Sequence, residues 1–288
     1  MPRTLLSQHH PLLYALSVSE KQFRRWIGWQ VHRKSFVRER SAEKLPYRVK
    51  KHSSVLLRKL QGVEMEWQRN KVKNLALAIA KIDGILIRPG EKFSFCKLVG
   101  RPTKRKGYLP GMEISFGEAR AGTGGGICQI ANLVHWLVIH SPLTVTERHH
   151  HSYDVFPDEG RILPFGSGAA VFYNYLDYQF TNNTPWTFQL RLWLSDKCLE
   201  GELRVNVELH FSYHVFEMKH RFVQIGSEYF RQNEIWRKKI AKFQSGAVLE
   251  TELVTKNFAR MKYVPQSFVT LSSTAEAQQD YQTGPATS

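Results

Sequence analysis

At 288 residues and 42% hydrophobic content, the chain suffices for one large domain or two ordinary ones and can bury a substantial core. Its 41 Lys and Arg against 25 Asp and Glu leave a formal charge of +16, a field that draws phosphate, nucleic acid, anionic lipid or carboxylate partners. The odd, widely spaced set Cys96, Cys128 and Cys198 argues against a disulfide framework and against a paired-cysteine zinc site.

The first apolar stretch is interrupted by Gln8, His9, His10 and Pro11, too short and broken for a signal peptide or a spanning helix, which predicts a cytoplasmic protein. Residues 20–51 set Phe23, Trp26, Ile27 and Val31 at helical spacing among many Lys and Arg. That pattern predicts a basic amphipathic helix, most simply a solvated surface helix, with peripheral membrane contact as the alternative. No motif for sequence-specific nucleic acid is present.

The next helix is expected over VEMEWQRNKVKNLALAIAKIDG, with Val72, Leu75, Ile79 and Ile82 on one face and Asp83-Gly84 as the stop. Strands are expected at ILI, at EKFSF and at Met112 to Phe116, the last followed by a glycine-rich turn. After the glycines, Ile127, Ile130, Ala131, Val134, Leu137 and Val138 repeat at helical spacing until Pro142 forbids continuation. LTVTERHHHSYDV, AAVFYNYLDYQFTNNTP, WTFQLRLWLS and ELRVNVELHF read as strands, with turns at Asn182-Asn183 and Asp196-Lys197. The resulting class is α+β, a mainly antiparallel sheet with helices packed on it. The organisation expected is a basic helical region at 1–62, a core domain at 63–215, a strand-rich subdomain at 216–270 punctuated by Gly226 and Gly246, and a disordered tail at 271–288.

The chemistry gathers at GTGGGICQ. Gly124, Gly125 and Gly126 permit close backbone approach just before a helix whose first amides and dipole favour negative charge. Cys128 in that first turn is therefore a candidate nucleophile with a stabilised thiolate, or else a small core residue beside a tight turn. The same turn resembles a phosphate cradle, although no Gly-Lys-Ser/Thr follows.

A base is offered by TVTERHHHSYDV, which as an extended strand puts Glu147, His149 and His151 on one face and Arg148, His150 and Ser152 on the other. Asp177 is the first candidate to orient an imidazole and Asp154 the second. The spacing leaves open a metal site of Glu147, His149 and His151 with Cys128 or Asp177. No cofactor is required by either reading.

PGEKFSFCKLVGRPTKRKGY, GGGICQ, TERHHHSYDVFPD and YLDYQFTNNT together resemble the VanW family, named for a protein encoded with B-type vancomycin-resistance genes. The similarity runs from about Arg88 to Thr184 and more loosely through HRFVQIGSEYFRQNEIWR towards Tyr263. Carried over position by position, the motif falls on Gly124, Gly125, Gly126, Cys128, Gln129, Glu147, Arg148, His151, Ser152 and Asp177, while His149 and His150 occupy variable positions. The resemblance implies a cell-envelope or glycopeptide-resistance setting and no defined reaction.

Two activities remain open. In one, Cys128 attacks a carbonyl for acyl transfer or amide hydrolysis, with His151 moving the proton and Asp177 or Glu147 orienting it. In the other, the glycine turn and Arg148 hold a phosphate or carboxylate of an anionic small molecule or cell-wall precursor without a covalent step. The oligomeric state is not encoded in any motif.

Overall fold

The computed structural model describes residues 11–58, 63–115, 117–150, 153–157, 162–243 and 245–271. Helix α1 spans Pro11–Val31, and strand β1, Tyr47–Val55, follows. The expectation of helix as far as residue 51 is corrected here: β1 pairs antiparallel with β10 (Cys198–Val205), so the last part of that region belongs to a sheet. Its half-buried Lys50, His52 and Ser54 alternate with exposed Lys51, Ser53 and Val55, a period of two that the surrounding basic residues obscure.

Helix α2, Met65–Ile82, buries Leu75, Ala78, Ile79 and Ile82, as the apolar repeat predicts. Asp83 ends it and accepts from Arg191 Nε and the Leu192 amide, both at 2.9 Å, tying the helix end to β9 (Phe188–Leu194). Strands β2 (Ile85–Ile87) and β3 (Lys92–Ser94) follow. The expected strand through Phe95 stops one residue early, because Ser94 caps a short helix α3, Phe95–Val99, by accepting from the Lys97 amide.

Strands β4 (Pro110–Ser115) and β5 (Glu118–Thr123) form a hairpin leading into α4, Cys128–Ile139. Strands β6 (Thr144–Glu147), β7 (Tyr153–Asp154) and β8 (Gln179–Thr181) are short. Three long strands, β11 (Phe211–Ile225), β12 (Glu228–Ala241) and β13 (Val248–Met261), follow, and β14 is Val269–Leu271. Of the tail expected at 271–288, Leu271 ends β14 and the rest lies outside the described residues.

The sheets run β1-β10-β9-β2, β3-β8-β6 and β14-β11-β12-β13-β7, with β4-β5 apart. Strand pairing is antiparallel except for β11 with β14 and β13 with β7, so the α+β class with mainly antiparallel sheet is correct. Helix α4 sits between two apolar clusters. Ile130, Leu133, Val134 and Leu137 join α2 and the sheet containing β9 and β10, while Trp136 and Ile139 meet Val215 and Ile235 of the long strands. This double burial explains why α4 is apolar nearly all round and why its start is fixed in space.

Candidate functional site

The glycine turn is built by close backbone packing. A Cβ added at Gly125 would lie 2.1 Å from the Gly111 carbonyl oxygen, so the turn and β4 lock together backbone to backbone. Gly126 has φ +92°, and a Cβ there would lie 2.2 Å from Lys71 Cγ. The stem of Lys71 therefore lies directly across the turn that opens α4.

That lysine belongs to a polar stripe, Gln68, Lys71 and Asn74, three residues apart on the buried side of α2. Asn74 Nδ2 donates to the Leu109 and Gly125 carbonyls at 3.0 Å, and its Oδ1 accepts from the Leu109 amide. Lys71 is 7% exposed and donates to Gln68 Oε1 at 2.9 Å. Gln68 is 1% exposed, and its Nε2 has no partner. Among the described residues no carboxylate pairs with Lys71. Desolvation first, and the like charge of Arg58 second, lower its ammonium to a pKa of about 8. A buried cation and an idle amide donor thus stand beside the positive end of a helix, an arrangement that attracts an anion.

Replacing Gly126 by alanine is expected to destabilise the fold by about 2–4 kcal/mol, since a left-handed residue gains a side chain where Lys71 already lies. A shift of the urea midpoint measures it; an unchanged midpoint would show that Lys71 swings aside freely.

Cys128 opens α4 as expected, but its electrostatics are the reverse of those of a poised nucleophile. Its thiol donates to the Val171 carbonyl at 3.4 Å. Burial pushes the thiol up, and the Glu113 carboxylate adds to the rise. Iodoacetamide should therefore label Cys128 along a rate profile whose midpoint lies above the free-thiol value of about 8.5. Peptide mapping separates it from Cys96 and Cys198, and a midpoint below that value would restore the nucleophile. Gln129 is engaged elsewhere: its Nε2 donates to Ser54 Oγ and the Val55 carbonyl, both at 2.9 Å, pinning β1 to α4.

The histidine-bearing strand is shorter than the sequence suggests. Among the described residues β6 ends at Glu147, and His149 and His150 are not in a strand. His151 and Ser152 lie outside the described residues. Arg148 is committed to the main chain, donating to the Gly168 carbonyl at 2.8 Å, to the Gly166 carbonyl and to Thr255 Oγ1 at 3.1 Å. Its guanidinium holds a loop to β13, which is a correction to the carboxylate-binding role.

Glu147 and Asp177 do come together, around Arg25 of α1. Arg25 grips Glu147 through two nitrogens at 2.6 and 2.7 Å and lies 3.6 Å from Asp177 Oδ2. Asp177, fully buried, accepts from Ser94 Oγ at 2.5 Å, the Cys96 amide at 2.8 Å and Gln179 Nε2 at 2.9 Å. His149 Nε2 lies 3.0 Å from Glu147 Oε1. Burial raises the Asp177 carboxyl, with Ser94 and Cys96 offsetting only part of it. Burial acts on Glu147 in the same sense, but the Arg25 guanidinium overcomes it and holds that carboxyl low. Both carboxylates are thus bound into a network with α1, α3 and β8, whereas the Cys128 thiol bonds to the Val171 carbonyl. Asp154 is likewise engaged, accepting from Tyr263 Oη at 2.8 Å and Arg231 Nη1 at 3.3 Å.

Reading the sequence motif by motif missed Lys71, Gln68 and Arg25. The three-residue spacing of Gln68, Lys71 and Asn74 was a usable signal on a helix, whereas Arg25 meets Glu147 at a sequence separation of 122 and left none.

A glycine turn starting a buried helix, a polar helix stripe against it and a carboxylate network on β6 and β8 all fall largely within residues 70–204, which match the family model described as VanW like protein. Over that stretch the chain is similar to the VanW-like proteins. It is similar to the Vancomycin B-type resistance protein VanW of Enterococcus faecalis (strain ATCC 700802 / V583), with 27% identity over 93% of this chain and 97% of that protein. A shorter match, 32% identical over 40% of this chain and 36% of the relative, is to the Uncharacterized protein YoaR of Bacillus subtilis (strain 168). No solved structure matches.

Proposed function

We propose that the chain binds a small anion, the phosphate or carboxylate of a cell-envelope precursor, at the glycine turn that opens α4, without a covalent step. The observation that carries this reading is Lys71, a buried ammonium lying across Gly126 with the neutral Gln68 as its hydrogen-bond partner. An incoming anion supplies the counter-charge and an acceptor for Gln68 Nε2, and the surplus of positive charge raises its local concentration. The name of the enterococcal relative ties that protein to vancomycin resistance, which makes wall precursors the ligand class to try first. Covalent catalysis has less support, because burial disfavours the Cys128 thiolate and Asp177 is held beside Cys96 instead.

Calorimetric titration with inorganic phosphate and with N-acetyl-alanyl-alanine, a peptide carboxylate, tests the reading. Binding of at least one probe is expected, weakening as pH rises past about 8 when Lys71 loses its proton. Lys71→Met should abolish it and Cys128→Ser should leave it within about twofold. Affinity unchanged in Lys71→Met, or turnover of a probe that vanishes in Cys128→Ser, would reject non-covalent capture.

A further inference from the structure

A cavity of about 110 Å³ opens where β1, the end of α4 and the start of β11 meet, at the other end of α4 from the glycine turn. Val205 and Leu209 give it an apolar side, and Phe211 and Tyr213 give it aromatic walls. Those rings are braced by cations: Lys239 Nζ lies 4.4 Å from the Phe211 centroid, and the Arg237 guanidinium 4.5 Å from that of Tyr213. An apolar cavity of about 150 Å³ holds benzene, so a single ring, and not a fused pair, matches the space here.

His140, 5% exposed, lines the same cavity. Its Nδ1 lies 2.7 Å from the Trp136 carbonyl, which can only accept, so that nitrogen carries a proton. Burial lowers the imidazole to about 4; the Trp136 bond opposes this, and the charges of Lys50, His214 and His52 add to it. The ring is therefore neutral at pH 7, with Nε2 as a bare acceptor. Among the described residues that nitrogen has no hydrogen-bond partner. The apolar side chains beside it offer a water no second bond, so the lone pair is best met by a ligand that brings its own donor.

The surroundings narrow that ligand. A sugar ring would press several hydroxyls against Val205, Leu209 and Phe211, whose side chains can satisfy none of them. A phenol brings one hydroxyl on an otherwise apolar ring. Arg48 and Lys242 also line the cavity, have no ion-pair partner among the described residues, and outnumber Glu208, the carboxylate there. They favour an anionic group on the end of the ring away from the hydroxyl.

We propose that this cavity binds a small phenolic carboxylate, its hydroxyl donating to His140 Nε2, its ring against Phe211, Tyr213, Val205 and Leu209, and its carboxylate at Arg48 and Lys242. The site is separate from the glycine turn and does not depend on anion capture there.

Titration of the full chain with 4-hydroxyphenylacetate, followed by backbone amide NMR shifts, tests it. Saturable shifts in the segment 205–213 are expected. Phenylacetate, which lacks the hydroxyl, and 4-hydroxybenzyl alcohol, which lacks the carboxylate, should each bind about fivefold or more weakly. His140→Phe should reduce the affinity for 4-hydroxyphenylacetate to that for phenylacetate. Arg48→Ala with Lys242→Ala should reduce it to that for the alcohol and leave the melting temperature in place, because both side chains are exposed. Glu208→Gln should tighten binding by about threefold, since it removes a like charge. Lys71→Met should bind 4-hydroxyphenylacetate as wild type does, which separates this site from the glycine turn. No saturable shift, equal affinity for phenylacetate, or unchanged binding by the alanine pair would overturn the proposal. Should His140→Phe fail to fold, the phenylacetate comparison still reads the hydroxyl bond.

Discussion

Replacing Asp177 with alanine is expected to cost about 3–5 kcal/mol, the range for breaking a buried charged network by removing one member. The Ser94 hydroxyl, the Cys96 amide and Gln179 Nε2 would each lose an acceptor in a site closed to water, and Arg25 would keep Glu147 and the Tyr175 carbonyl. Asparagine at the same position should cost less, since it retains one carbonyl oxygen. The pH dependence distinguishes the two variants further. Because burial raises the Asp177 carboxyl above its unfolded value, its favourable share is complete below that unfolded value and declines as pH rises through the folded one. The cost of Asp177→Asn relative to wild type should therefore shrink as pH rises from about 4 through the raised folded value. Urea melts across this range measure both effects, and a loss under about 1 kcal/mol for alanine would mean that the network is wet and weakly coupled.

Replacing Lys71 with methionine should act in the opposite direction and stabilise the protein. A lysine whose pKa falls from 10.5 to about 8 on folding carries a charging penalty of roughly 3 kcal/mol at neutral pH. The sign follows from proton counts: between those two values the unfolded chain holds the proton and the folded one does not, so wild-type stability rises with pH there. The gain from methionine is thus greatest below about pH 8 and fades towards pH 10.5. A bound anion reverses the comparison, because it stabilises only the protein that retains the ammonium. If Lys71→Met is destabilised at pH 7, the lysine has a counter-charge and the anion site loses its basis. A stabilising substitution that removes binding is the pattern expected where a strained group is kept for function.

How much of this was legible in the sequence differs from element to element. Helix α4 could be read because its apolar repeat is dense and Pro142 closes it, and Asp83-Gly84 marked the end of α2 equally well. The long strands β11 to β13 were announced by Gly226 and Gly246, which sit at positive φ in their turns. Strand β5, EARAGT, was invisible because it is a half-exposed hairpin arm with no apolar alternation to betray it. Extending β6 through the histidines failed for a tertiary reason: Arg148 leaves the strand to satisfy the carbonyls of Gly166 and Gly168, and no local pattern encodes those partners. The motif located the glycines, Cys128, Glu147 and Asp177 but not how they group. Asp177 precedes β8 and turns towards α3, while Glu147 is claimed by an arginine from the first helix.

The placement of α4 between two apolar clusters bears on how the chain comes apart. Arg237 of β12 donates to the Ile139 and Ser141 carbonyls at 3.1 and 2.8 Å, so the long strands also close the hydrogen bonds left open at the end of that helix. Cutting the polypeptide near residue 215 would strip Trp136 and Ile139 of their cover and uncap the rod on which the glycine turn is mounted. Heat or denaturant should accordingly melt both halves in a single step, with disorder at the distal strands felt at the opposite tip of the shared helix.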